Sequence, residues 1–382
     1  MHPRRPSARV GLLAVATALI AMFVATSSAS AASFGGGTIN ITIAGLKGVS
    51  ASTKGHTAKN TFPFAENSGV VTMTKQASGS LNIGSSTTEL RLKRGNKTLV
   101  LKSLVEKLTA GKGQLTAKVG GKGKAIAFFD QASTNRVNPS SDFTTLGMTK
   151  SNMTLTSAGA AALNKAFGLK KPARGKSDQR YKAKAKAGSA SFNALRSLTV
   201  VGGNTSTIYD QAFVQALRNC SIELSAVAPA TAIPKDPASA PEGGASLPIN
   251  AQNGGTLTAS TLIGQVNHTG GTSLDRPAGN SSGKAEYHSP LTNFTFGFGP
   301  PQNTLTAFVV NANNNLPIGT VTGTPVATLT DTGGSVSLQN GSLNLSDPAS
   351  GTLSQKEPPL GADCPIPAGS KIGAINMTAQ VE

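Results

Sequence analysis

Beside 17 acidic residues, the side chains that could ligate a metal or move a proton are few: four histidines, three tyrosines and two cysteines among 382 residues. His268 closes the alternating run in GQVNHTGGTSL (264–274), just before a glycine pair. Tyr287 and His288 are adjacent in GKAEYHSP. A phenol or an imidazole can hold iron, and an imidazole can shuttle a proton. Neighbours on a strand point to opposite faces, so only one of Tyr287 and His288 can face a pocket. His268 joins them if its strand pairs with AEYHSPL. The plain alternative has Tyr287 in the core, His288 in solvent and His268 as a turn residue. Cys220 and Cys364 are separated by 144 positions. An exported chain would bridge them, two free thiols being the alternative.

Catalytic signatures are missing. The sequence has no G-x-S-x-G, no H-E-x-x-H, no zinc-type Cys/His spacing and no G-x-x-x-x-G-K-[ST], although GKGQLTAKVGGKGKA is glycine- and lysine-rich. With few acids and few histidines, no general acid/base pair suggests itself, and the expectation is a protein that is not an enzyme.

The first residues predict export. Arg4, Arg5 and Arg9 precede the apolar GLLAVATALIAMFVA, and Ala29-Ser30-Ala31 suits a cleavage site, so residues 1–31 read as a signal peptide. No later run is long and apolar enough to span a bilayer. The expected location is extracellular or cell-envelope associated. Charge is unevenly divided: residues 1–200 carry a net +23 and residues 201–382 a net −5. An exported cationic half is drawn to anionic envelope polymers or lipids. Nucleic acid is disfavoured, because ELRLKRGNKTLVLK interleaves its cations with leucines and offers no aromatic ring for stacking.

Most of the chain alternates with period two and is punctuated by Gly, Asn or Pro about every ten residues, which predicts an all-β, mainly antiparallel sandwich-like fold. Two helices are expected. One follows Thr156 or Ser157 as N-cap and ends at Gly168. The other covers 207–219, with Thr207 and Asp210 in capping-box-like spacing. The expected organisation is a basic β-domain at 32–170, a basic linker at 171–195 and a second β-domain at 196–382. The second contains the 207–219 helix and a Pro/Ala-rich linker at 228–246.

The halves repeat weakly. VVTMTKQASGSL, LTAGKGQLTAKV and KAIAFFD parallel IGQVNHTGGTSL, FGPPQNTLTAFV and LPIGTV. The alignment matches Leu81 with Leu274, Leu115-Thr116-Ala117 with Leu305-Thr306-Ala307, and His268 with Lys75 or its neighbour. On INAQNGGTLTASTLIGQVNHTGG, LTNFTFGFGPPQNTLTAFVV and LPIGTV, with LTAGKGQLTAKVGGKGKAIAFFD and MTLTSAGAAALNKAFG in the first half, the chain resembles the HtaA-type haem-binding domains of actinobacterial envelope proteins. The resemblance implies two divergent copies, haem as cofactor, haem or haem proteins as partners, and a role in iron acquisition. It also implies a tyrosine on the iron, supported by a histidine at His268. The candidate ligands are Tyr287 or His288. The rival expectation is a structural or adhesive envelope protein that contacts anionic polymers or lipids through its basic half.

Overall fold

The computed structural model describes residues 30–382 apart from 55–59, 66–67, 74–76, 110–111, 132–136, 175, 281–282, 332 and 357–359. The expected export segment up to Ala29, and Lys75, therefore lie outside the described residues. The first half runs β1 (Ser30–Ile43), β2 (Ser50–Lys54), β3 (Thr61–Pro63), β4 (Gly69–Met73), β5 (Ser78–Asn82) and β6 (Glu89–Arg94). It continues with β7 (Lys97–Thr109), β8 (Lys112–Val119), β9 (Ile126–Gln131), β10 (Asn138–Pro139), β11 (Thr145–Leu155) and helix α1 (Ser157–Phe167). Strand β12 (Lys186–Tyr209) leads to α2 (Gln211–Asn219), β13 (Glu223–Val227), β14 (Thr231–Ile233), β15 (Gly244–Pro248), β16 (Thr256–Thr258) and β17 (Gly264–Asn267). Then come β18 (Gly271–Arg276), β19 (Tyr287–Phe298), β20 (Asn303–Val309), β21 (Asn314–Val321), β22 (Val326–Leu329), β23 (Gly334–Leu345), α3 (Asp347–Leu353) and β24 (Lys371–Val381).

Every strand pair is antiparallel, so the all-β expectation holds, and the pairings close on themselves. In the first half the circuit β1-β4-β5-β7-β8-β9-β11-β12 returns to β1. In the second half β12-β16-β17-β19-β20-β21-β23-β24 returns to β12. Side arms correspond as well. β3 on β1 answers β15 on β12, β2 on β6 on β7 answers β13 on β18 on β19, and β10 on β11 answers β22 on β23. Helix α1 precedes the closing strand of the first circuit, and α3 that of the second. Closure leaves no open edge along either circuit, which removes the template for edge-to-edge aggregation.

One strand serves both circuits. Residues 188–197 of β12 pair with β1, and residues 200–209 pair with β24. The expected basic linker at 171–195 is corrected accordingly: its residues 186–195 are strand. AGSASFNAL reads as low complexity, yet Ala187 turns into the first core and Ala190, Phe192 and Ala194 alternate into it. Gly188 marks a close approach, since a Cβ there would stand 1.8 Å from the Thr42 carbonyl oxygen. Each circuit encloses its own core. Ile39, Ile41, Phe62, Phe128 and Phe129 sit in the first, and Val266, Phe296, Leu305, Leu338 and Ile375 in the second, all essentially inaccessible.

The first expected helix is as read: Thr156 Oγ1 accepts from Gly159 N at 2.9 Å, and Gly168 takes the left-handed conformation, φ 69°. The second starts later than expected. Residues 207–209 remain in β12, and Asp210 itself is the N-cap, accepting from Ala212 N at 3.0 Å. The apolar Ile208 that suggested a helical stripe belongs to strand alternation instead. The Pro/Ala-rich 228–246 includes the short β14, which pairs with β15. Cys220, the C-cap of α2, is bridged to Cys364, with Cα atoms 5.6 Å apart. No helix among the described residues is long and apolar enough to cross a membrane.

Candidate functional site

The three predicted ligand residues are not brought together. His268 follows β17 and is 2% exposed. Its backbone N donates to the Phe294 carbonyl at 2.8 Å and its Nδ1 lies 3.0 Å from the same oxygen. Nε2 lies 2.7 Å from Thr205 Oγ1, so with Nδ1 carrying the proton, Nε2 accepts from the hydroxyl. Burial, against the weaker pull of the Phe294 carbonyl, pushes the imidazole down to about 4 and keeps it neutral. Both ring nitrogens are therefore occupied.

Tyr287 lies seven residues from Phe294 along β19, on the order of 20 Å away. It pairs with Arg276, whose guanidinium carbon stands 5.8 Å from the ring centroid. Burial raises the phenol, and its hydroxyl has no hydrogen-bond partner among the described residues. Arg276 is itself buried, its Nε donating to the Cys220 carbonyl at 2.8 Å and Nη2 to that of Ala362. His288 points outward, as alternation requires, and its Nδ1 meets the Asp275 carboxylate. That carboxylate also accepts from Ser225 at 2.7 Å and Ser273 at 2.8 Å.

The internal correspondence shows why His268 stands alone. His268 bridges to Ile249 and bonds to Phe294; in the first circuit Ile83 bridges to Phe64 and bonds to Leu104. The position of His268 is therefore that of Ile83, not of Lys75. Its partner Thr205, opposite Leu247, answers Ile39, opposite Phe62. A polar pair in the second interior replaces two isoleucines in the first. Leu274 answers Leu92 rather than Leu81, because each stands three positions beyond the residue facing the corresponding place on β7 or β19. The Leu-Thr-Ala triplets do coincide, Leu115 facing Glu106 and Leu305 facing Phe296.

Two segments of the second half have no counterpart among the described residues of the first: α2, between β12 and β13, and the β14 arm, between β13 and β15. Together they wall a cleft of about 490 Å³. Its apolar lining includes Val214, Leu217, Ile222 and Leu224, with Ile233 and Pro234 from the arm. The amphipathic α2 buries Phe213, Val214 and Leu217 and presents Arg218 at the cleft. Arg218 Nη1 donates to Glu242 at 3.2 Å and Lys235 Nζ stands 3.4 Å from the same carboxylate. Arg218 first, then Lys235, holds Glu242 below the usual carboxylate range.

Tyr209 lines this cleft, and its hydroxyl lies 3.4 Å from Thr272 Oγ1. Burial raises the phenol. Behind Tyr209 and Leu224, which line both spaces, is an interior apolar cavity of about 80 Å³, also bordered by Phe294, Leu305 and Leu345. None of His268, Tyr287 and His288 lines the cleft or the cavity. Among the described residues no group of three or more His, Cys, Asp or Glu side chains is arranged to hold a metal ion. Tyr209, Arg218 and Lys235 were not singled out from the sequence. The available signal was that 210–243 finds no match in an otherwise duplicated chain.

No family model and no curated protein matches the chain. Among solved structures it is similar to the C-terminal domain of HtaA from Corynebacterium glutamicum, at 17% identity and a TM-score of 0.33, over 48% of this chain and 99% of that one. It is also similar to the heme binding protein HtaB from the same organism, at 13% identity and a TM-score of 0.30, over 48% of this chain and 96% of that one. Likeness of this degree decides neither the ligand nor the site.

Proposed function

We propose that this is an exported, non-enzymatic binding protein of the haem-acquisition type, and that the second copy holds the ligand in the cleft between α2 and the β14 arm. The observation that carries the reading is that the two segments unique to the second copy are the walls of that cleft. The first circuit closes without them, so closure of the second does not require them, although α2 also packs Phe213 and Leu217 into the second core.

A haem site needs an axial donor, an apolar slot and cations for the propionates. At His268 these requirements are not met: both ring nitrogens are taken. At His288 the side chain is exposed and bound to Asp275. At Tyr287 the hydroxyl is free, but it borders neither the cleft nor the cavity. The interior cavity of about 80 Å³ is too small for a ligand of this size, whereas about 490 Å³ falls within the usual range for ligand clefts. Tyr209 borders the cleft, its hydroxyl resting on Thr272 of the cavity behind, and the cleft adds an apolar floor and cations at Arg218 and Lys235. Haem would bring its own iron and ring. Tyr209 would offer the oxygen, giving up the proton that burial now holds on it, while the two cations turned from Glu242 toward carboxylates.

Haemin titration followed by the Soret band tests this. Tyr209→Phe is expected to shift the band and weaken binding at least tenfold, with Tyr287→Phe, His288→Ala and His268→Ala close to wild type. A spectrum and affinity unchanged in Tyr209→Phe would refute the cleft as the site. Loss in Tyr287→Phe or His288→Ala would return the ligand to those residues.

A further inference from the structure

The outer face of the sheet β2-β6-β7-β8 is cationic in a way the fold does not require. Lys54, Glu89, Lys102 and Lys118 form one row across the four strands. Arg91 and Lys93 extend it along β6, and Lys122 lies in the turn after β8. Glu89 is nearly buried beneath Arg91, at 2.6 Å, and Lys102, at 2.7 Å. Lys54, Lys93, Lys118 and Lys122 have no acidic partner among the described residues. Lys102 and Lys118 stand directly opposite each other, an arrangement of like charges that disfavours the sheet.

The second copy supplies an internal control. The matching row there is Val227, Gly271, Thr292 and Phe308, and the places of Arg91 and Lys93 are taken by Ser273 and Asp275. The same pairing therefore forms with no lysine or arginine at these positions. Strands about 4.8 Å apart put the row's ends roughly 14 Å from each other. Lys102 and Lys118 lie well within a Debye length, about 8 Å at physiological salt, and Lys54 stands about 10 Å from Lys102, close to that length, so their fields add at the surface.

We infer that this face of the first copy is a binding surface for a linear, hydrophilic polyanion with phosphate charges. This goes beyond the ligand proposed for the cleft and does not depend on it. The face lacks aromatic rings on which bases could stack, which disfavours single-stranded nucleic acid. Among the described residues the exposed large apolar ones, Val70, Ile263, Val310 and Val326, all lie elsewhere, so none of them would anchor this face in a bilayer. Lysines are mobile point charges, suited to a flexible chain of phosphates rather than to one fixed bidentate group.

The test uses the full exported chain and long-chain inorganic polyphosphate. Affinity is expected to fall linearly with salt on a double-logarithmic plot, as released counterions demand. Lys54→Gln, Lys93→Gln and Lys118→Gln together should weaken binding at least tenfold at low salt and flatten that plot by about three. Lys284→Gln, Lys356→Gln and Lys371→Gln remove the same charge from the second copy, away from this face, and should change affinity less than twofold. Circular dichroism of both triple variants checks that the fold is kept. Equal losses in the two variants would reduce the effect to net charge and overturn the inference. So would tighter binding to phosphatidylglycerol vesicles or to a single-stranded oligonucleotide than to polyphosphate.

Discussion

Glu106 offers the sharpest quantitative test of the first core. It lies on β7 with its side chain wholly buried, and Gln131 Nε2 donates to its Oε2 at 2.8 Å. Its Oε1 and the Gln131 Oε1 both lack partners, and each stands 2.5 Å from where a Cβ on Gly113 would be. Two bare acceptors crowded together call for a proton, and an acid proton on Glu106 gives the pair its second hydrogen bond. Burial, outweighing the bond from Gln131, pushes the carboxyl up to about 8 from its usual 4.5. Between those values the folded chain keeps a proton that the unfolded chain releases. Stability is therefore full below about pH 4.5 and is lost as pH rises toward 8. At about 1.4 kcal/mol per pH unit, the interval from 4.5 to 7 amounts to about 3 kcal/mol. Glu106→Gln cannot ionise and can make both hydrogen bonds, so it should recover most of that at pH 7 and almost none at pH 4.5. Urea unfolding followed by circular dichroism at pH 5, 7 and 8.5 measures it. If variant and wild-type midpoints move in parallel across that range, Glu106 is not a buried, protonated acid and the argument fails.

The second core should respond to pH in the opposite sense. His268, held neutral down to about 4, costs stability as pH falls from 6.5, and His268→Ile should remove that loss in acid urea titrations. Thr205→Val strands a buried imidazole nitrogen and should cost about 1–3 kcal/mol, whereas Thr205→Ile with His268→Ile copies Ile39 and Ile83 and should recover most of it. Reducing Cys220–Cys364 frees a loop of 144 residues, worth up to about 5 kcal/mol in the chain-entropy model. The urea midpoint with and without reductant reports that loss. Neither thiol should react with an alkylating reagent before reduction.

Much of the fold could be read from residue types, because local chemistry was enough. Period-two alternation marked the strands, Thr156 and Gly168 bounded α1, and the Leu-Thr-Ala triplets fell in equivalent places of the two circuits. The site was less legible. His268 was expected to support an iron-bound tyrosine because the resemblance places a histidine there, but its surroundings are set by Thr205 and Phe294, 63 and 26 positions away. Tyr209 looked like the start of a helix, and Asp210 took that role instead.

What the sequence determined by itself was which residues turn inward and where the chain must bend, since both follow from side-chain size, alternation and backbone freedom within a few residues. Only the tertiary structure decided partners: that β12 closes one circuit and opens the next, that His268 takes the place of Ile83, and that α2 and the β14 arm enclose a cleft. Alternation fixes the face a residue shows but carries no information about the strand it meets, and that choice is made by packing across the whole chain.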